Sequence, residues 1–259
     1  MLVVENISLS FRGLRALDSV SLSVGSHELV GIIGPNGSGK STLFNVISGV
    51  YRADSGDVRL GGKSIRGLGP AGIVGLGLAR TFQNKRLFGN MTAIENVMVA
   101  ALRNQQGSAL GDVFGLASAR AGAESCERRA HECLDLVGLS DAAGSLAHDL
   151  PFGAQNRLEI ARALAVKPKL LLLDEPAAGL NPGERDDIRR LVETVFSSGV
   201  SIILVEHDVR LVTGLCTRVI ALDHGVRIAD GAPADVIADP RVQEAYFGPE
   251  DGLDAETVA

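Results

Sequence analysis

Gly34-Pro35-Asn36-Gly37-Ser38-Gly39-Lys40-Ser41-Thr42 is the stretch on which the reading of this 259-residue chain turns. Ahead of it, Leu29 to Ile33 form a short apolar run that reads as a buried strand. Behind it, the pattern predicts a helix from Ser41 to near Gly49. Strand, glycine-rich loop, Lys-Ser pair and helix, in that order, are the setting that a phosphate-binding loop requires. The glycines let backbone N–H groups turn inward on β- and γ-phosphates, and the helix N-terminus adds its positive dipole end. Lys40 supplies a charge to the same oxygens, and Ser41 a hydroxyl to magnesium. The expectation is a chain that binds ATP with Mg2+ and hydrolyses it.

A second segment strengthens the first. Leu170-Leu171-Leu172-Leu173-Asp174-Glu175 is an apolar strand that ends in two acids. Ligands of open α/β sheets gather at the carboxyl ends of strands. Asp174 is placed to hold magnesium through water, and Glu175 to orient and polarise an attacking water. Alone, a strand ending in Asp-Glu is often only a solvated strand end. His207 follows another apolar run, Val200 to Val205, and is a candidate contact to the γ-phosphate.

Further out, Ile7, Leu9 and Phe11 alternate, as do Val20, Leu22 and Val24, which predicts antiparallel strands with one buried face. Thr92 and Glu95 form a capping box ahead of Val97, Val99 and Leu102. Ala130, Cys133, Leu134 and Val137 fall at helical spacing, with Gly138 as the stop. Residues 91 to 150 therefore read as a helical insertion, with a loop from Asn104 to Ser108. From Gln155 a helix runs to about Val166. Asn181, Pro182 and Glu184 open another, whose core face is Ile188, Leu191, Val192 and Val195. Arg218 to Asp223 and Val226 to Ala229, around His224-Gly225, predict a hairpin.

Composition limits the function. Hydrophobic residues make up 46%, enough for a packed core. The net charge of -6, from 25 Lys+Arg against 31 Asp+Glu, is not the basic excess of a nucleic-acid binder. The three cysteines, Cys126, Cys133 and Cys216, form no CxxC pair; they read as small core residues in a reducing compartment. No apolar run reaches the ~18 to 20 residues that span a bilayer. The start, Met1-Leu2-Val3-Val4-Glu5-Asn6, lacks the features of a signal peptide.

The order and spacing of these elements resemble the ATP-binding subunits of ABC transporters, over nearly the whole chain to about Gly248. The resemblance implies roles for further residues. Phe11 takes the place of the adenine-stacking aromatic. Gln83, in Arg80-Thr81-Phe82-Gln83-Asn84, looks like the glutamine that touches magnesium and senses the membrane partner. Leu150-Pro151-Phe152-Gly153-Ala154 aligns with the signature that acts on the partner subunit's ATP. Ala178-Gly179-Leu180-Asn181 fills the loop joining two subunits' sites, and His207 the switch position. Leu150-Pro151-Phe152-Gly153, Pro176-Ala177-Ala178-Gly179-Leu180-Asn181-Pro182, His207-Asp208-Val209-Arg210-Leu211-Val212 and the end Ala245-Tyr246-Phe247-Gly248 look like the branched-chain (hydrophobic) amino-acid importer ATPases. The signature departs from the general family: Pro151 replaces a Ser and has neither hydroxyl nor N–H. Phe152 replaces a Gly, and Ala154 a Gln. Gly153 and the helix start remain for backbone anion binding.

What the resemblance implies is an α/β P-loop ABC ATPase core with an N-terminal antiparallel β lobe and a helical subdomain. Core and lobe would comprise residues 1–90 and 154–248, the subdomain about 91–153, and the tail 249–259. Two such subunits, alike or different, would close head to tail over two ATP molecules. They would drive transmembrane permease subunits from the cytoplasmic face of the cell membrane, with an external solute-binding protein involved indirectly. The alternative is an ABC-type ATPase in a non-transport assembly role.

Overall fold

A computed structural model of the protein describes residues 1–82, 86–103 and 116–247, with side chains from residue 122 onward in the last segment. Gln83, the loop Asn104 to Ser108 and the tail from Gly248 lie outside the described residues. The fold is of mixed α/β class and divides into two compact units, Met1–Pro70 with Ile203–Ala259, and Ala71–Ile202.

The first unit opens with β1 (Leu2–Phe11) and β2 (Leu14–Val24), paired antiparallel. Then come β3 (Leu29–Ile33), α1 (Lys40–Ile47), β4 (Ser55–Leu60) and β5 (Lys63–Ser64). One sheet has the order β2-β1-β4-β5, which is the expected antiparallel lobe. Ile7 and Leu9 are buried as alternation predicts, but Phe11 is 41% exposed. The register shifts between Ile7 and Leu9 and again between Leu9 and Ser10. Such bulges turn the strand, so Phe11 leaves the face its spacing assigned it.

The second unit begins with α2 (Pro70–Gly75), whose first residue falls at the division, and continues through β6 (Leu78–Arg80) and α3 (Ala93–Leu102). Next are α4 (Leu116–Leu136), α5 (Phe152–Ala165), β7 (Leu170–Asp174) and α6 (Pro182–Ser197). β6 and β7 run parallel, pairing Leu78 with Leu170 and Arg80 with Leu172. The helices of this unit form a packed group, in which α3 lies on both α4 and α5. Its core includes Val97, Ala130, Cys133, Leu134 and Val137, whereas Val99 and Leu102 face outward. Both capping boxes form as read, with Thr92 and Glu95 on α3 and Asn181 and Glu184 on α6. The helix expected from Gln155 starts earlier, at Phe152, because the extended backbone of Pro151 serves as its N-cap.

The division falls within β8 (Ser201–Val205), and the chain then re-enters the first unit. There α7 (Val209–Leu215), β9 (Arg218–Asp223), β10 (Val226–Gly231), α8 (Pro233–Ala238) and α9 (Pro240–Phe247) follow. β9 lies parallel to β3 and antiparallel to β10. His224 and Gly225 both adopt positive φ, 43° and 76°, as a two-residue hairpin turn with matching twist demands. Every residue of β3, β7 and β8 is buried, which is why these strands read as continuous apolar runs.

Candidate nucleotide site

In the first unit the chain leaves β3 at Gly34, and the conformation there excludes a side chain. A Cβ would lie 2.2 Å from the Leu222 carbonyl oxygen and 2.6 Å from Ser38 Oγ. Gly39, at φ 102°, caps α1 in the left-handed region, and a Cβ there would meet the Ala16 carbonyl oxygen at 2.7 Å. The first helical bond runs from Leu43 N–H to the Gly39 carbonyl at 2.8 Å. The amides of Lys40, Ser41 and Thr42 thus start the helix outside its own ladder. Lys40 is 5% exposed, and its ammonium donates to the carbonyls of Gly34 (2.7 Å) and Pro35 (2.9 Å). Those carbonyls stand in for lost water and hold the charge over the loop.

Phe11 meets Tyr51 edge-on, with ring centroids 5.2 Å apart and planes at 70°. His207 is exposed and follows Glu206, a buried acid at the end of β8. Tyr246 Oη accepts the Gly34 N–H at 2.7 Å.

In the second unit β7 delivers Asp174 and Glu175 side by side. Asp174 is buried, and its Oδ2 accepts from Arg80 Nη2 at 2.8 Å. Its amide donates to Thr81 Oγ1 at 3.2 Å. Its Oδ1 is buried and has no hydrogen-bond partner among the described residues. Glu175 is half-buried at φ 50°, a left-handed conformation that a non-glycine residue adopts only under local compulsion. A cavity of about 90 Å³ lies between Thr81, Phe82, Phe152, Asn156, Asp174 and Glu175.

The signature residues surround the start of α5. Leu150, Gly153 and Ala154 are buried, and Phe152 is 53% exposed. Pro151 makes no side-chain cap. A Cβ at Gly153 would stand 2.6 Å from Glu184 Oε1, so glycine is what lets the two helix starts approach. Gln155 Nε2 and Asn156 Nδ2 donate to the carbonyls of Leu150 and Pro176, both at 3.0 Å.

Sequence reasoning gave no role to Arg80, Thr81, Glu184's contact with Gly153, Glu206 or Tyr246's contact with Gly34. One signal was available. An arginine ending the otherwise apolar run Leu78-Ala79-Arg80 can be buried only against a carboxylate.

Residues 17–178 match the family model for the ABC transporter. The chain belongs to this family. Residues 226–249 match a second model, of the branched-chain amino acid ATP-binding cassette transporter. Among curated ABC proteins, the chain is 41% identical over 250 residues to the high-affinity branched-chain amino acid transport ATP-binding protein BraF of Pseudomonas aeruginosa, covering 96% of this chain and 98% of that protein. It is 37% identical over 249 residues to LivG of Escherichia coli, of the same description, covering 96% and 98%. A solved nucleotide-free ATP-binding cassette from an ABC transporter superposes with a TM-score of 0.83 at 34% identity, covering 96% of this chain and 99% of that one. A dimeric cassette in a post-hydrolysis state, bound to ADP and Pi, gives 0.76 at 26% identity, covering 90% and 99%. The fold is that of an ABC ATPase, and the activity is ATP binding and hydrolysis.

Proposed function

We propose that this ABC ATPase powers an importer for branched-chain or other hydrophobic amino acids or related small solutes. The match of residues 226–249 to the branched-chain family model carries the reading, and 41% identity to BraF supports it. Among the described residues no helix is long and apolar enough to cross a membrane. In this reading transmembrane permease subunits hold the chain at the inner face of the cell membrane, and the solute reaches them from an external binding protein.

Each residue then has a task. Residues Gly34 to Thr42 wrap the phosphates with backbone amides, and Lys40 turns from its own carbonyls to the β- and γ-oxygens. Phe11 offers its exposed face to the adenine. Asp174, whose Oδ1 is buried without a hydrogen-bond partner among the described residues, would hold magnesium through water, and Ser41 and Gln83 would offer the ion their side-chain oxygens. Magnesium would neutralise developing charge on the phosphates. Glu175 orients the attacking water, and His207 contacts the γ-phosphate. Leu150 to Ala154 face the ATP of a second ATPase subunit, the same chain or a paralogue, and Gln83 relays the state of the site to the permease.

The test is a pull-down of tagged Glu175→Gln chain from detergent-solubilised membranes with ATP and magnesium. Recovery of a polytopic permease and an ATPase partner is the expected result. Recovery of soluble partners only would reject the importer and leave an assembly role.

A further inference from the structure

We infer that Tyr246 is a positioning residue for nucleotide binding, through which the C-terminal helix sets the geometry of the phosphate loop. The inference rests on the phosphate-loop reading of residues 34 to 42. Tyr246 lies 212 positions along the chain from Gly34, yet its hydroxyl oxygen takes the Gly34 N–H at 2.7 Å. The pairing of β3 with β9 extends to Ile33 and Ala221, so Gly34 is the residue at which the chain passes from ladder to loop. Its carbonyl meanwhile receives the Lys40 ammonium at 2.7 Å, and the Leu222 carbonyl fills the space that a Cβ would need. Gly34 is thus held at its N–H by α9 and at its carbonyl by the loop's own lysine, and β9 closes off the side where a Cβ would stand. Freed of Tyr246, a partly buried N–H would lack its acceptor, and turning that peptide toward another changes φ at Gly34, the residue whose carbonyl Lys40 rests on.

A phenol suits this position. Its ring is rigid and apolar, and its oxygen accepts a hydrogen bond without formal charge. Burial pushes the Tyr246 hydroxyl up in pKa, against the opposing pull of the Gly34 N–H, so it stays neutral at physiological pH. A carboxylate would satisfy the same N–H but would place a negative charge beside a loop that must receive a polyphosphate. The helix does not depend on this bond for its seat: α9 packs on α8 and β10, Val242 is buried, and the amides of Val242 and Gln243 bond to Asp239 O.

Tyr246→Phe in the full chain removes the hydroxyl and keeps the ring. Calorimetry with ADP and with MgATP should show binding weakened about fivefold, the scale of one neutral hydrogen bond. Hydrogen exchange at the Gly34 amide should accelerate while the Val242 amide keeps its protection. In turnover assays KM should rise with kcat within about twofold, since the variant alters a binding loop and not the reacting groups. If Tyr246→Phe binds both nucleotides as the unaltered chain does, the inference is wrong, whether or not the melting temperature falls. If the unaltered chain itself binds neither nucleotide, the phosphate-loop reading fails and takes this inference with it.

Discussion

Asp174 and Arg80 illustrate what a single residue demands of its surroundings. Their side chains are 3% and 6% exposed and sit 2.8 Å apart. Removing one member of such a pair leaves a buried charge without its partner, a loss of about 3–5 kcal/mol. Arg80→Met should therefore lower the denaturant midpoint by an amount of that order, and Arg80→Met with Asp174→Asn should recover part of it. If the single variant unfolds like the unaltered chain, the pair contributes nothing measurable. Two further substitutions separate binding from chemistry. Glu175→Gln keeps the shape of the side chain and loses the acid, so turnover should fall about 100-fold or more while ATP affinity holds. Lys40→Ala should weaken ATP binding itself, and unchanged affinity by calorimetry would remove the lysine from the site. Lys40, Asp174 and Glu175 could be named as candidates because each stands in a local motif with its context beside it. Arg80 was not given a role because its partner lies 94 positions away: the apolar run it ends calls for a partner but does not say which one.

Elements were legible where a stop or start signal is written in the chain. Thr92 Oγ1 accepts from the Glu95 amide at 3.3 Å, and Glu95 Oε2 accepts from the Thr92 amide at 2.7 Å. Thr92→Ala should cost about 1 kcal/mol in thermal or denaturant unfolding. The hairpin of β9 and β10 is pinned by a two-pronged pair, Arg218 Nε and Nη2 to Asp230 Oδ1 and Oδ2 at 2.7 and 2.8 Å. Arg218 also reaches Glu28 Oε1 at 3.2 Å. Burial works to raise the Asp230 pKa, but the bonds and charges of Arg218 and Arg227 outweigh it, and the net shift is downward. A lowered carboxylate pKa means that the native state binds fewer protons than the unfolded chain. Its stabilisation is complete above the ordinary aspartate value and fades as pH falls through the lowered one. Arg218→Gln should cost about 1–3 kcal/mol near neutrality, and the gap between variant and parent should shrink as pH falls below the ordinary aspartate range. A gap that stays constant through that fall would mean that Asp230 is not the group involved. The short strands β5 and β6 escaped the sequence reading because two or three residues are too few to display a period. Phe11 was assigned to a buried face because bulges do not announce themselves in an alternating pattern.

At the level of the molecule, the ordered series of motifs identified the fold, since no one motif could and five in register did. The solute was never legible, because the residues that choose it belong to other subunits in the proposed importer. Pairing of two ATPase subunits belongs to this scale. With turnover blocked, Glu175→Gln chain should sediment as a dimer with MgATP and as a monomer with ADP, if two copies of this chain suffice for closure. A monomer under both conditions would require a different partner chain, and mixing with candidate paralogues would then restore the dimer. The three native thiols also shape how such motion can be observed. Cys126, Cys133 and Cys216 are all buried, and burial raises Cys133 to about 11 and Cys216 to about 12. Cys133 and Cys216 therefore hold little thiolate at neutral pH, Cys126 is shielded by its burial, and maleimide reagents should pass all three by. A cysteine placed at Asp186, whose side chain is 70% exposed on α6, becomes the one reactive handle on an otherwise unmodified protein. Spin labels or dyes attached there would report the opening and closing of paired subunits without first stripping the chain of its own cysteines.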